Sequence, residues 1–203
     1  MAPKMRRIIV ISLVLSVFIF SCTEEKENPE PIREKENNEK LWLALKDGDI
    51  DFIATDHSPA PPELKETESG NFEKAWGGIA GLQFSLSATW TAAESRGFTI
   101  HQLNKWLSEN PAAFLKLNSS KGKIAVGYDA DLVIWNPEKE ISINKENIYH
   151  RHKLSPYAGL TLKGEVLQTI VNGKIVYDNN TFPNLNAGNI LLNKNIHNIT
   201  ISN

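Results

Sequence analysis

Ile50-Asp51-Phe52-Ile53-Ala54-Thr55-Asp56-His57-Ser58-Pro59-Ala60-Pro61-Pro62 is the stretch from which the rest of the chain can be read. Its first six residues are mostly apolar and rich in aromatic and β-branched side chains, which reads as a strand. Pro59, Pro61 and Pro62 then forbid an immediate helix and force an extended loop, because each proline restricts itself and the residue before it. Asp56 therefore stands at the carboxyl end of a strand, where barrel and open α/β enzymes place their reacting groups. A carboxylate there can bind a divalent metal or take a proton from metal-bound water. An aspartate in this place can equally form a turn by accepting from the following backbone.

Outward from this stretch, helical and strand periods alternate in blocks. Upstream, Asn38 to Leu45 begins a short helix with Leu41, Trp42 and Leu45 on one side, closed by Gly48. Downstream, a polar loop runs to Trp76-Gly77-Gly78. A helix follows, with Ile79, Leu82, Leu86, Trp90 and Ala93 at three- and four-residue intervals and Gly97 placed to stop it. Thr99-Ile100-His101-Gln102 matches a capping box and opens a helix that buries Leu103, Trp106 and Leu107. Asn110-Pro111 is expected to cap a third, short helix carrying Phe114, Leu115 and Leu117. After Gly122 the period becomes two. Lys123-Ile124-Ala125 leads to Leu132-Val133-Ile134-Trp135, closed by Asn136-Pro137; later, Val166–Val171 and Lys174–Tyr177 flank Asn172-Gly173, a strong hairpin signal. The class is α/β: a strand, helices, then a small antiparallel β unit.

The amino-terminal end differs in kind. Lys4, Arg6 and Arg7 precede an uncharged apolar run from Ile8 to Phe20, too short to cross a bilayer comfortably but suited to the hydrophobic region of a signal peptide. Ile19-Phe20-Ser21-Cys22 loosely resembles a bacterial lipoprotein box, whose cysteine becomes the lipid-bearing amino terminus. The alternatives are a buried strand or a signal cleaved without lipidation. Cys22 is the only cysteine, which excludes an internal disulfide framework. Residues 23–40 are almost entirely polar and read as a tether or exposed loop unless they dock on something. With 41% apolar and 23% charged residues the chain is ordinary globular, and its net charge of -2 gives no electrostatic case for nucleic acid.

Several segments together resemble a known family. Pro31-Ile32-Arg33-Glu34, Asp49-Ile50-Asp51, Ala54-Thr55-Asp56-His57-Ser58-Pro59-Ala60-Pro61-Pro62-Glu63-Leu64-Lys65 and Trp76-Gly77-Gly78-Ile79 occur in the order of the C-terminal half of the allantoinases, metal-dependent cyclic amidohydrolases. Ser108-Glu109-Asn110-Pro111-Ala112, Gly127-Tyr128-Asp129-Ala130-Asp131-Leu132 and His152-Lys153-Leu154-Ser155-Pro156-Tyr157 continue the series. The Gly-x-Asp-Ala-Asp pattern is shared across amidohydrolases generally; the segments around Asp56 and Trp76 point more narrowly to allantoinases. The likeness runs from about Pro31 to about Pro183.

The resemblance implies a (β/α)8 barrel with a β-sandwich built from both chain ends. It also implies a divalent metal, zinc by preference, and hydrolytic opening of the hydantoin ring of allantoin to allantoate in purine catabolism. Asp56 would match the metal-binding general base at the end of the eighth strand. Gly77 and Gly78 would lie where backbone comes close to the flat cyclic amide. Ala60 counts against dihydroorotases, which hold the substrate carboxylate with a histidine there; dihydropyrimidinase-like action on another cyclic amide stays open. The family's other ligands, a His-x-His pair, a carboxylated lysine and two more histidines, precede the aspartate. Only the 33 residues 23–55 lie between Cys22 and Asp56, whereas a complete barrel takes about 250.

The expectation is therefore a C-terminal part that binds no metal by itself and does not work alone. It divides into a signal segment (1–22), a polar linker (23–40), the last barrel strand with its helices (41–120), part of the sandwich (121–183) and a tail (184–203). A complementary N-terminal fragment, a homo-oligomer, anchoring through Cys22, or a non-catalytic exported remnant or subunit are the partner and function alternatives. His150-Arg151-His152 has the spacing of the family's first-strand metal pair, but its place in the series assigns it a structural or surface role.

Overall fold

The computed structural model describes residues 35–191 apart from Thr67, Phe72 and Leu185. The apolar run before Cys22, Cys22 itself, the polar stretch to Glu34 and the residues from Leu192 onward lie outside the described residues. Helix α1, Lys35–Asp47, buries Asn38, Trp42 and Leu45, which at i, i+4 and i+7 share one face. It starts within the stretch whose composition suggests a tether. The polar segment orders there because it docks: Trp42 enters the core, and the Arg96 guanidinium bonds both carboxylate oxygens of Glu39 at 3.1 and 2.5 Å. The same guanidinium lies 5.1 Å from the Trp42 ring centre.

Ile50 and Ile53 are buried, as the apolar reading of 50–55 requires. The expected strand is nevertheless an extended segment without a ladder. Among the described residues its one bridge is His57 with Ile79, in parallel. The backbone groups bond to the helical layer instead. The Ile53 N–H donates to the Trp106 carbonyl at 3.2 Å, and the Asp51 carbonyl accepts from the Asn110 amide at 2.5 Å. No described strand runs beside it, so its backbone satisfies itself elsewhere.

A 3₁₀ turn, Leu82–Phe84, leads into α2, Ser85–Glu94, and Thr99 caps α3, Ile100–Asn104, with both reciprocal capping-box bonds formed. Asn110-Pro111 behaves differently from expectation. Asn110 has helical angles, and its N–H reaches the Lys105 carbonyl five residues back. The helix widens into a π turn over Lys105–Glu109 and runs on as α4, Asn110–Phe114. Pro111 has no N–H and its ring would collide with the carbonyl four residues earlier; the wide turn accommodates it within one continuous helical run.

Strands β1 (Leu132–Ser142), β2 (Thr161–Val171) and β3 (Lys174–Asp178) form an antiparallel sheet in that order. The hairpin turn is the expected one, Asn172 and Gly173 having φ of 49° and 74°. Asn136-Pro137 does not close β1. Register shifts at Ile134/Trp135 and between Asn136 and Glu140 place Pro137 in an irregular stretch, the position a strand allows a proline. The run Lys123-Ile124-Ala125 is not a strand either: Ile124, and Val126 just after the run, stand in solvent at 88% and 106% exposure.

Two apolar clusters meet at α2. Trp90, Ala92 and Ala93 join Trp42, Leu45, Ile50, Ile53, Leu103 and Trp106, whereas Phe84 and Ala88 join Ile143, Ile148, Tyr157 and Leu162. Polar contacts stitch the helix to the sheet. Ser87 donates to the Gly164 carbonyl, the Trp90 indole N–H to the Pro137 carbonyl at 2.9 Å, and the Lys163 amine to Glu94 at 2.7 Å. Gly164 (φ 100°) is required by space as well as conformation, since a Cβ there would lie 3.0 Å from the Trp135 ring. One helix, α2, thus packs against both the Trp42–Ile53 region and the β-sheet region.

Candidate active site

Asp56 is exposed and has φ of 42°. Aspartate enters the left-handed region more readily than most L-residues, because its short side chain can bond locally, and Asp56 is held there by its neighbours. Here both flanks are fixed. Ile53 is bonded to Trp106, and the Ser58 N–H donates to the Ile79 carbonyl at 2.8 Å. A carboxylate is thereby presented to solvent at the end of the buried segment.

His57 fixes the same turn. Its Nδ1 accepts from the Leu82 N–H at 3.2 Å, which leaves Nε2 to carry the proton of the neutral ring. The His57 and His150 rings meet edge to face, with centres 6.5 Å apart. Both His150 nitrogens are closed to water, and burial pushes its imidazole below the ordinary value against an opposing backbone contact from Leu154. His150 to His152 form a bend and turn, not a strand, so alternation does not bring them to one face. Ala60 is buried at 5% exposure and offers the site no polar group.

Gly77 and Gly78 lie in the loop that returns beside this turn. A Cβ on Gly78 (φ 84°) would fall 2.5 Å from Ser58 Cβ and Oγ, whereas one on Gly77 would meet nothing within 4 Å. Only the second glycine is demanded by close approach. Lys65 closes the 3₁₀ turn Pro62–Lys65 and donates its amine to the carbonyls of Trp76, Gly77 and Gly78 at 3.0, 2.9 and 2.6 Å. Burial holds its ammonium below the ordinary lysine value. Sequence reasoning gave Lys65 no role, because nothing in its spacing marks a lysine whose partners lie eleven to thirteen residues on. The meeting of His57 with His150 was equally invisible.

The sequence profile of the amidohydrolase family matches residues 8–176. The chain belongs to the amidohydrolase family. Allantoinase of Arabidopsis thaliana is 46% identical over 149 residues, covering 72% of this chain and 29% of that protein. Allantoinase of Salmonella newport (strain SL254) is 41% identical over 149 residues, 73% and 32% of the two chains. D-hydantoinase (dihydropyrimidinase) from Thermus sp. superposes with a TM-score of 0.68 at 31% identity, over 75% of this chain and 33% of that one. L-hydantoinase (dihydropyrimidinase) from Arthrobacter aurescens gives 0.70 at 31% identity, over 75% and 34%. The chain spans about a third of the length of the relatives it matches.

Amidohydrolases are generally metal-dependent, and the described residues test poorly as a metal centre. Among them no three His, Cys, Asp or Glu side chains are gathered within reach of one ion. Asp56 could supply one oxygen ligand, but His57 Nδ1 is already engaged. A catalytic metal held by protein needs about three ligands with a position left open. The described residues do not make that site between them.

Proposed function

We propose that this chain supplies the proton-transferring carboxylate and the substrate-facing loop of an allantoinase-type hydrolase, which opens a cyclic ureide such as allantoin. The observation that carries the reading is Asp56: an exposed carboxylate in left-handed backbone, fixed on both flanks, beside the loop 76–79. A carboxylate so held can take a proton from attacking water and return it to the leaving ring nitrogen. Gly77 and Gly78 bring backbone against the flat ring. On this reading the segment around Ile53 is the last strand of a (β/α)8 barrel, α2 to α4 are its helices, and β1–β3 are a share of the β-sandwich. The divalent metal, zinc by preference, takes its remaining ligands from another polypeptide segment, a complementary chain or a second copy. The apolar run and Cys22 are an export signal with a lipid anchor.

The test is segment exchange. The matching 149 residues of the Salmonella allantoinase are replaced by those of this chain, and allantoate formation is measured. Turnover supports the reading. Folded, metal-loaded enzyme without turnover on any cyclic amide favours a non-catalytic role instead. The hydantoinase superpositions support a second reading, in which hydantoins or dihydropyrimidines are the substrates. Preference of the exchanged enzyme for dihydrouracil or a 5-substituted hydantoin over allantoin would select it.

A further inference from the structure

The Lys65 amine sits among three consecutive carbonyls, those of Trp76, Gly77 and Gly78, with no carboxylate paired to it in a described ion pair. Consecutive carbonyls of an extended chain point in alternating directions; here three converge on one donor, so the backbone must curl around it. Gly78, at φ of 84°, supplies the reversal. Each of these peptides is trans, and a trans planar peptide sets its N–H opposite its C=O. Turning the three carbonyls inward to the ammonium therefore turns the N–H groups bonded to them outward, to the other side of the loop; that of Ile79 enters the parallel bridge with His57, and those of Gly77 and Gly78 are the pair that faces outward. Successive N–H groups arranged in this way form a concave donor set for an oxygen acceptor.

We propose that Lys65 is a positioning residue: its ammonium gathers the Trp76–Gly78 carbonyls and so aims the Gly77 and Gly78 N–H groups at the acceptor oxygen of a bound ring. Charge is essential to the arrangement, because hydrogen bonds from a charged donor are about twice as strong as neutral ones, and three accepting carbonyls crowded together repel one another without it. The leverage is local. Trp76 is anchored at its own N–H by the Leu64 carbonyl at 2.7 Å, and Ile79 is anchored by Ser58, so Lys65 sets the conformation of the residues between two fixed points. The substrate-facing meaning of this loop rests on the function proposed above, but its shape does not.

The experiment uses the full chain and needs no turnover, so the two ideas fail separately. In a Cys22→Ser background, Lys65→Cys removes the ammonium. Bromoethylamine then converts the new cysteine to an aminoethyl thioether, which restores an ammonium at nearly the lysine length; iodoacetamide adds a neutral group instead. Chymotryptic cleavage after Trp76 is followed by mass spectrometry, since cleavage tracks the open population of the loop. Lys65→Cys is expected to be cut about tenfold faster than the parent. Aminoethylation should return the rate to within about twofold, and the neutral adduct should leave it high. Cleavage within α2 serves as the control for global unfolding and should not change. Equal rates for all four proteins, or equal rescue by the neutral adduct, would overturn the proposal.

Discussion

Replacing Gly78 and Gly77 by alanine, one at a time, separates steric demand from mere glycine content in the 76–79 loop. At Gly78 the new methyl lies 2.5 Å from both Ser58 Cβ and Oγ and 3.0 Å from the Ser58 carbonyl, with φ of 84°. The left-handed angle costs an L-residue roughly 1–2 kcal/mol, and moving Ser58 aside costs about 1–3 kcal/mol more, as in other overpacked sites. Ser58 cannot retreat freely, because its N–H is bonded to Ile79 at 2.8 Å. The sum is about 3 kcal/mol, or roughly a hundredfold in the local opening equilibrium at 1.4 kcal/mol per factor of ten. Gly77 has open space within 4 Å and no left-handed angle, so alanine there should be neutral or stabilise by about 0.4–1 kcal/mol through the unfolded state. Native-state hydrogen exchange at the Ser58 amide is the assay. Gly78→Ala is expected to speed it about a hundredfold and Gly77→Ala by no more than about twofold. Similar acceleration by both, or by neither, would refute the steric account of this loop.

Asp131 accepts from the Asn172 N–H at 2.8 Å and is paired with Lys121. The Asn172 bond first, and then Lys121, hold its carboxyl below the ordinary value. A depressed folded pKa gives stability that is complete above the ordinary carboxylate range and lost as pH falls through the folded value. The melting temperature should therefore drop below about pH 4, and Asp131→Asn should flatten that limb in thermal scans. Arg96→Ala removes both the Glu39 contacts and the stacking over Trp42; amide exchange in α1 should rise by the equivalent of about 1 kcal/mol, with exchange in the β2–β3 hairpin unchanged. Cys22, if it becomes a lipid-bearing amino terminus, should give a mature mass in a bacterial host that lacks residues 1–21 and carries acyl chains; intact Met1 on soluble protein would rule this out.

Local rules were legible where one residue satisfies its own neighbourhood. The Thr99 capping box, the Asn172-Gly173 turn and the buried face of α1 around Trp42 all depend on contacts within a few positions, so spacing alone reveals them. Signals that depend on a distant partner misled. The 50–55 run has strand composition, but its hydrogen bonds go to Trp106 and Asn110, and a ladder needs an adjacent strand that composition cannot supply. Asn110-Pro111 looks like a helix start, yet a π turn carries the helix through it, because Asn110 is held by Asp51 and has no need to cap. That the apolar run ends at Asp56, which stands exposed just beyond it, was readable from composition. The contacts of Lys65 were not, since they come from a loop that folds back on it.

Allantoin turnover by the segment-exchanged Salmonella enzyme, measured beside its Asp56→Asn counterpart, bears most directly on the central claim. Both proteins should fold alike, because Asp56 is exposed and the substitution keeps its shape. The exchanged enzyme is expected to form allantoate, and Asp56→Asn to lower kcat by about 10²- to 10⁴-fold, the usual contribution of a positioned acid–base group, with metal content unchanged or reduced. Turnover that survives Asp56→Asn within about threefold would contradict the claim, since general acid–base groups contribute far more than that.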